Sequence, residues 1–414
     1  MKKTFIVLLA LLASSQAMRA QVGPEIKSWV RNTTNATGYG GIPSNVQTVQ
    51  YSATQVYISA TCIPGYSIGP WAANPNVPVN KNFVYKITRS PQKNTGALTS
   101  VGLGHTGIWS NGVSVFNSDD GQTYNNAGVW HRNAYFFEGS SFDNCLGHPA
   151  PGGEYHHHVN PTCLYNDKDS THHAPIIGYS LDGFPIYGAY AYTDTNGTGS
   201  IKRMTSSYQL RNITDRTTLP DGSTASSAGP AINSTYPLGA FIQDYIYIAG
   251  SGDLDIHNGR YCKTPDYPNG TYAYFVTIDQ NQKPVFPFTM ADTYYGVVQA
   301  GNTGPTGAHF TITEPTTIYT DSATTGLINM SPAIKYELVP NPVEDYLYLY
   351  MDVVSVNNVK ATITDAVGRV MEVKQFIQPS IGYAFDMTKY NNGIYFLTLE
   401  EGSQRVTEKI IKSH

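Results

Sequence analysis

The sequence predicts a mainly β protein, in which a large β-rich and loop-rich N-terminal domain is followed by a small immunoglobulin-like β-sandwich. Three observations lead to this prediction. Only 14% of the 414 residues are charged, while 31 tyrosines, 38 glycines and 25 prolines are present. Short runs of alternating apolar and polar residues recur, separated by Asn-Gly and Asp-Gly pairs that favour tight turns. Helical periodicity is scarce.

The chain begins with the pattern of a signal peptide, predicted to span residues 1–20. Two lysines precede an apolar run at residues 5–13, and small residues permit cleavage after Ala17 or Ala20. No later apolar run is long enough to cross a bilayer, and no basic block supports nucleic-acid binding. We therefore expect a protein with no transmembrane segment and no nucleic-acid partner, secreted or located on the outer cell surface.

Residues 21–313 are predicted to form one domain. Its clearest strand candidates, recognised by their alternation, are residues 55–60, 82–88 and 272–278. Residues 204–211 are compatible with either a short turn or a strand.

A change of composition predicts the end of this domain. Residues 314–332 are rich in Thr and Ser and hold few large apolar side chains, which indicates a linker. The last segment, residues 333–414, shows five alternating runs typical of a small all-β sandwich. They span residues 346–352, 360–364, 370–374, 395–399 and 407–411.

Three motifs follow one another in this last segment. They are VPNPVEDYLYLY at 339–350, DAVGRVM at 365–371 and NNGIYFLTLEEGSQRVTEKIIK at 391–412. The layout resembles the type A sorting domain of the type IX secretion system, which bacteria of the phylum Bacteroidetes use. The resemblance implies passage through the outer membrane, then release or anchoring at the cell surface. The secretion machinery is therefore the expected partner of this domain, and no chemistry is expected of it.

Export favours disulfide bonds among the four cysteines. We favour Cys145–Cys163, because that bond closes a short loop around a histidine cluster, and Cys62–Cys262 then follows by elimination. In the alternative interpretation, Cys145 and Cys163 are thiolate ligands of a metal ion.

Six of the 11 histidines lie within residues 148–173. If residues 154–159 are extended, His156 and His158 share one face of the strand and His157 points to the other. His148 precedes them across a loop rich in Pro and Gly that can fold back. Because histidine is the commonest metal ligand, we predict a transition metal ion, copper or zinc, held by His148, His156 and His158. The alternative is a metal-free β core in which these histidines only form hydrogen bonds.

Further ligands are expected from elsewhere in the chain. His173 and His257 are the candidates, with His172 as the alternative to its neighbour, since adjacent residues of a strand cannot both point inward. Asp255 shares one face of a predicted strand with His257, and it is a candidate to complete the site or to orient a ligand histidine. Three carboxylates flank the cluster as candidate proton acceptors: Glu138, Asp143 and Glu154.

Six stretches resemble, in order, the YHYH domain family of secreted bacterial proteins. They are VGLGHTGIWSNGVSVFN (101–117), FDNCLGHPAPGGEYHHHVNPTCLY (142–165), HAPIIGYSLDGFPIYGAY (173–190), SSYQLR (206–211), YPLGAFIQDYIY (236–247) and LDIHNGRYCKTPDYPNGTYAYFVT (254–277). The naming motif reads Tyr155-His156-His157-His158 here, so its third position is His instead of Tyr. The resemblance implies export and a histidine-centred site, without implying a reaction.

Several catalytic classes are disfavoured, because the sequence has no GxSxG, HExxH, Walker A or dinucleotide-binding motif. The leading hypothesis is a secreted metal-binding protein. It acts either as an enzyme that activates water or oxygen at the ion or as a metal-capture module, and the sequence leaves this open. An extracellular small molecule or glycan is the partner expected of the enzyme. The alternative is a metal-free adhesin or carbohydrate-binding module, which low charge and abundant Tyr also suit.

Overall fold

The structure is a computed structural model. It describes residues 22–72, 74–304, 306–320, 336–351, 359–376, 383–401 and 404–413. The predicted signal peptide and residues 321–332 of the predicted linker lie outside the described residues. The chain divides into two compact units, Met1–Asp321 and Ser322–His414. The domain boundaries that we predict at residues 313 and 333 stay predictions.

The first unit consists of short strands joined by long loops. Its strands are β1 (Val46–Tyr51), β2 (Gln55–Ala60), β3 (Phe83–Thr88), β4 (His105–Trp109), β5 (Ser114–Phe116), β6 (Asp119–Thr123), β7 (His131–Asn133), β8 (His148–Pro149), β9 (Tyr155–His157), β10 (Ile176–Ser180), β11 (Pro185–Tyr187), β12 (Tyr190–Tyr192), β13 (Ile201–Arg203), β14 (Tyr208–Leu210), β15 (Tyr245–Tyr247), β16 (Gly259–Cys262), β17 (Thr271–Phe275) and β18 (Thr317–Ile318). The helices are α1 (Pro24–Lys27), α2 (Ala134–Glu138) and 3₁₀ turns at Tyr39–Gly41, Tyr124–Asn126, Gly139–Ser141 and Ile242–Asp244.

An eight-stranded sheet carries most of this unit, with the order β16-β17-β11-β10-β4-β5-β9-β8. Every residue of β4, β10 and β17 is buried, so these strands are covered on both faces. Most neighbours are antiparallel, but β5 runs parallel to β9 and β11 runs parallel to β17. The histidine-bearing strands β8 and β9 lie at one edge of the sheet.

The unit also contains a four-stranded sheet of order β18-β1-β2-β3 and three two-stranded pairs, β6-β7, β12-β13 and β14-β15. The predicted strand at residues 55–60 is confirmed as β2, and β3 alternates between buried and half-buried residues as its sequence predicts. β18 pairs with β1, so the first part of the predicted linker is ordered against this sheet. Both sheets contribute to one hydrophobic core, and each fully buried large apolar side chain stabilises it by about 1.5–3 kcal/mol.

The second unit is the expected small β-sandwich. Its strands are β19 (Tyr336–Val339), β20 (Tyr346–Met351), β21 (Val359–Asp365), β22 (Val370–Phe376), β23 (Tyr383–Asp386), β24 (Gly393–Glu401) and β25 (Gln404–Lys412). They form a sheet of order β19-β20-β23 and a sheet of order β22-β21-β24-β25. Leu347 and Phe385 of the first sheet share a core with Ile363 and Leu397 of the second. The predicted mainly β fold is thereby confirmed.

Among the described residues, no helix has the length and the apolar composition that crossing a membrane requires.

Candidate metal centre

The pairing of β9 brings three histidines to one face of the sheet edge. His148 of β8 lies directly opposite His156 of β9, and residues in that position point to the same face. His158 follows two residues after His156, so the extended backbone returns its side chain to that face as well. The predicted face-sharing of His156 and His158 is therefore confirmed, and the fold-back of His148 with it.

The loop before β8 is held by Asp143 and by a disulfide bond. The carboxylate of Asp143 accepts hydrogen bonds from the backbone N–H groups of Cys145 and Gly147 and from the hydroxyl of Tyr155. The Cys145–Cys163 bond is present, so the prediction of this disulfide is confirmed and the thiolate-ligand alternative is wrong. Gly147 is needed at its position because a Cβ atom there would collide with Tyr155. These constraints fix the backbone that presents His148.

The three histidines meet at their Nε2 atoms. The Nε2 atom of His156 is 3.0 Å from that of His148 and 3.0 Å from that of His158. None of the three residues is more than 4% exposed, and their ligand atoms all lie within 4.8 Å of one another. Within the part of the chain that the structure describes, no other three His, Cys, Asp or Glu residues form such a group.

Backbone carbonyls define the tautomers of two of these rings. The Nδ1–H of His158 donates to the carbonyl of Asn117 at 2.6 Å. The Nδ1–H of His156 donates to the carbonyl of Glu154 at 3.1 Å. A neutral imidazole has one N–H, so the Nε2 atom of each ring carries a lone pair.

Ser141 defines the tautomer of the third ring. Its hydroxyl donates to the carbonyl of Glu138 at 2.7 Å, and its Oγ lies 2.7 Å from Nδ1 of His148. Because the only proton of the hydroxyl is already used, Nδ1–H of His148 donates to Oγ. The amide nitrogen of Asn74 lies farther from Nδ1, at 3.5 Å, and donates to the carbonyl of Pro149 at 2.9 Å. All three Nε2 lone pairs therefore point at one place, where they repel one another unless a cation lies between them.

A carboxylate faces the same place. Glu138 is the last residue of α2, whose first turn is capped by the side chain of Asn133. Its Oε2 atom lies 3.1 Å from Nε2 of His158 and 3.8 Å from Nε2 of His148. From the sequence we predicted Glu138 only as a proton acceptor beside the cluster. Its position along the chain does not indicate that α2 folds over the strands that carry the histidines. The carboxylate oxygen of Glu138 thus lies beside two of the three nitrogens, next to the group that His148, His156 and His158 form.

The environment keeps two of the three histidines, His148 and His156, neutral. Burial lowers the pKa of His148 to about 4, and it lowers the pKa of His156 well below its usual range; the neighbouring imidazoles add to both effects. At neutral pH His148 and His156 are therefore neutral, the form in which imidazole binds metal ions.

The donor set fits a first-row transition metal. Zinc bound at about 2.0–2.1 Å in a tetrahedral site has ligand nitrogens about 3.3 Å apart. The Nε2 separations of 3.0 Å approach that value, so coordination needs only a small outward movement of the rings. Nitrogen-rich sites of this kind also suit copper.

A cavity of about 460 Å³ opens beside the histidines. Glu138 forms part of its wall and is 30% exposed there, whereas the histidines are nearly closed off. Its other lining residues include Asn74, Leu103, Phe116, Asp119, Asp120, Phe137 and Pro151. A small molecule can therefore reach the histidine group from one side.

Residues 84–286 match the family model described as YHYH protein, and residues 337–413 match that of the secretion system C-terminal sorting domain. The chain thus carries a YHYH domain and a C-terminal sorting domain. Both resemblances drawn from the sequence are confirmed. The sorting domain implies export through the type IX secretion system to the cell surface or the extracellular space. No curated protein matches the chain.

The expected additional histidines of the YHYH domain lie elsewhere. His173 packs between Tyr187 and Tyr192, and its Nδ1–H donates to the carbonyl of Ala174. His172 is exposed, and its Nδ1 is 3.0 Å from the carboxylate of Asp169. Neither joins the group formed by His148, His156 and His158.

The segment around Asp255 is a turn, so the prediction of a strand there is wrong. The carboxylate of Asp255 accepts the backbone N–H groups of His257 and Gly259 and the hydroxyl of Tyr272. Nδ1 of His257 bonds to the carbonyl of Thr293 instead of facing the group. An Asx turn ahead of β16 therefore explains these residues.

Glu154 contacts the group through its backbone. Its carbonyl accepts from His156, as described above, while its carboxylate lies 2.5 Å from Oγ of Ser114 and 3.2 Å from Nδ1 of His105. The proton-acceptor role predicted for Glu154 stays a prediction, and its contact with the group is made by the carbonyl oxygen. Its carboxylate is buried and contacts the side chains of Ser114 in β5 and His105 in β4.

The predicted Cys62–Cys262 bond is wrong, because both cysteines are separate, buried thiols. Sγ of Cys62 contacts the carbonyl of Tyr155 at 3.0 Å, whereas Cys262 ends β16 opposite Thr271. We had paired them only because they were the two cysteines left over. Cys62 follows β2 of the four-stranded sheet, whereas Cys262 lies in β16 at the end of the eight-stranded sheet. Burial raises the pKa of Cys62 to about 12, so it stays a thiol.

Proposed function

We propose that the YHYH domain binds one transition metal ion, zinc or copper, through His148, His156 and His158, with Glu138 as a fourth donor. The observation that carries this proposal is the convergence of three Nε2 lone pairs, each defined by an Nδ1–H bond on the other side of its ring. Hydrogen bonds of this type are the usual means by which proteins orient ligand histidines. In a β core with a purely structural role, three buried hydrogen-bond acceptors that face one another would only destabilise the fold.

The adjoining cavity supports a role in which a small molecule or part of a polymer reaches the site. A zinc or copper ion held by these ligands supplies a Lewis acid that lowers the pKa of bound water. Asp120 lines the same cavity, and burial raises its pKa to about 6 although Arg132 lies beside it. A carboxylate with this pKa can accept or donate a proton near neutral pH.

The proposal is tested by measuring the zinc and copper content of the exported full-length chain. The protein is produced in an oxidising compartment and carries no histidine tag. We expect one zinc or copper ion per chain, and none in the His156→Ala/His158→Ala variant. The matched control is His172→Ala/His309→Ala, which removes two exposed histidines and should keep the ion. Circular dichroism of each variant in chelator verifies that it folds.

A wild-type chain that takes up neither metal after incubation with both would contradict the proposal. The metal-free alternative, an adhesin or carbohydrate-binding module, would then explain the export and the low charge. An ion that stays bound in the double variant would equally rule out these ligands.

A further inference from the structure

A second cavity, of about 410 Å³, lies in the first unit and shares no lining residue with the cavity at the histidines. The ends of β16 and β17 form one wall of it, and the chain at residues 88–93 forms another. Aromatic rings and charged groups alternate around it. Neither the family matches nor the proposed metal site accounts for this cavity.

Tyr261 provides a flat surface in this cavity. It is 61% exposed, an unusual state for so large a ring on a strand. Gly270 lies directly behind it, and a Cβ atom at that position would come within 3.0 Å of the ring. Gly270 also has a φ of 95°, which favours glycine. The turn before β17 therefore contacts the hydroxyl end of the ring, and much of the ring is left to solvent.

A pair of stacked tyrosines continues the wall. The rings of Tyr272 and Tyr295 are parallel, with centroids 3.6 Å apart. Tyr272 is buried, so Tyr295 is held in place as the outer ring of the pair. A stacked, preformed aromatic wall binds a ligand with little loss of side-chain entropy.

The charged groups of the cavity leave one positive charge uncompensated. Arg89 and Glu25 form an ion pair of 3.0 Å whose side chains are each 11% exposed. Lys93 is exposed, and its ammonium lies 5.5 Å from the centre of the Tyr295 ring. Among the described residues, no carboxylate lies within ion-pair distance of Lys93. The cavity thus presents one free cation beside two tyrosines.

We propose that this cavity binds a carbohydrate chain that carries carboxylate groups. A pyranose ring has an apolar C–H face that packs on tyrosine and a rim of hydroxyl groups that need polar partners. Glu25 and Arg89 supply fixed polar groups, and Lys93 pairs with a sugar carboxylate. Because polar and charged side chains line the cavity beside the tyrosines, a purely apolar ligand does not fit it. A single unpaired lysine supplies too little positive charge to bind nucleic acid.

Calorimetric titration of the full-length chain with a hexasaccharide of galacturonic acid tests this inference. Its methyl ester, which keeps every ring but removes the charge, is the matched ligand. We expect the acid to bind about threefold to fivefold more tightly than the ester, as one exposed ion pair allows. Lys93→Met should abolish that difference. Chelator should leave binding unchanged, which separates this cavity from the metal site.

Variants of Tyr261 test the stacking surface. Tyr261→Ala should weaken binding about tenfold, the upper range for one aromatic contact, whereas Tyr261→Phe should keep it. Tyr346→Ala, which removes an exposed tyrosine from the second unit, is the control and should have no effect. A chain that binds neither hexasaccharide, binds both equally, or is unaffected by Tyr261→Ala overturns the proposal.

Discussion

The two faces of β9 carry the same side chain in opposite situations. His156 points to the cavity side, where its Nε2 lies 3.0 Å from those of His148 and His158. His157, the next residue, is fully buried between Tyr155 and Trp109. Within the described residues, neither ring nitrogen of His157 makes a hydrogen bond. Whether a histidine of β9 is a candidate metal ligand therefore depends on the neighbours on its face of the strand.

Replacing one histidine on each face gives the largest expected contrast. His158→Phe removes a proposed ligand and should lower the affinity for zinc by at least about a hundredfold, because the remaining donors cannot close the site. His157→Phe removes no ligand and should leave the affinity within about threefold of wild type. Competition with a fluorescent zinc chelator measures both. Equal losses in the two variants would mean that the faces do not differ as described.

This contrast also marks what the sequence can predict. The alternation of side chains in a strand is a local rule, so the separation of His157 from its neighbours follows from the sequence. The same holds for β2, where the predicted and observed residues coincide. In contrast, residues 204–211 fit two structures locally, and only pairing with β15 makes residues 208–210 a strand.

Contacts between distant segments were the part that sequence patterns did not reveal. Glu138 reaches the histidines because α2 lies over the sheet edge, which no spacing within the chain specifies. We predicted His257 as a further ligand because of its residue type. The Asx turn at Asp255 instead directs its side chain to Thr293. The pairing of Cys62 with Cys262 failed for the same reason, since elimination carries no information on distance.

A smaller effect is expected from the groups that hold the ligands. Ser141→Ala removes the acceptor for Nδ1–H of His148, which frees the ring to rotate or to change its tautomer. Such changes lower metal affinity about 10–100-fold. Ser140→Ala is the matched control, because Ser140 is exposed and adjacent. Zinc affinity that is the same in the two serine variants would show that Ser141 does not orient His148.

The smallest expected effect concerns stability on the core face. Burial, together with the nearby His148 and His158, lowers the pKa of His157 to about 3, and the backbone of Cys145 approaches the ring without hydrogen-bond geometry. Between pH 6.5 and 3 the unfolded chain therefore binds a proton at this residue that the folded chain does not. The free energy of unfolding must fall as the pH falls through this range, by up to about 1.4 kcal/mol per pH unit for one histidine.

Urea unfolding in chelator, repeated between pH 7 and 4.5, measures this slope. His157→Phe should make it shallower, because phenylalanine binds no proton in either state, whereas His172→Gln changes an exposed residue and should not. The variant should also gain stability at pH 7, since it removes two buried nitrogens that have no hydrogen-bond partner. Parallel pH profiles for wild type and His157→Phe would show that His157 is not held neutral by the core. Burial on the core face of β9 would then no longer explain why His157 binds no proton in the folded chain.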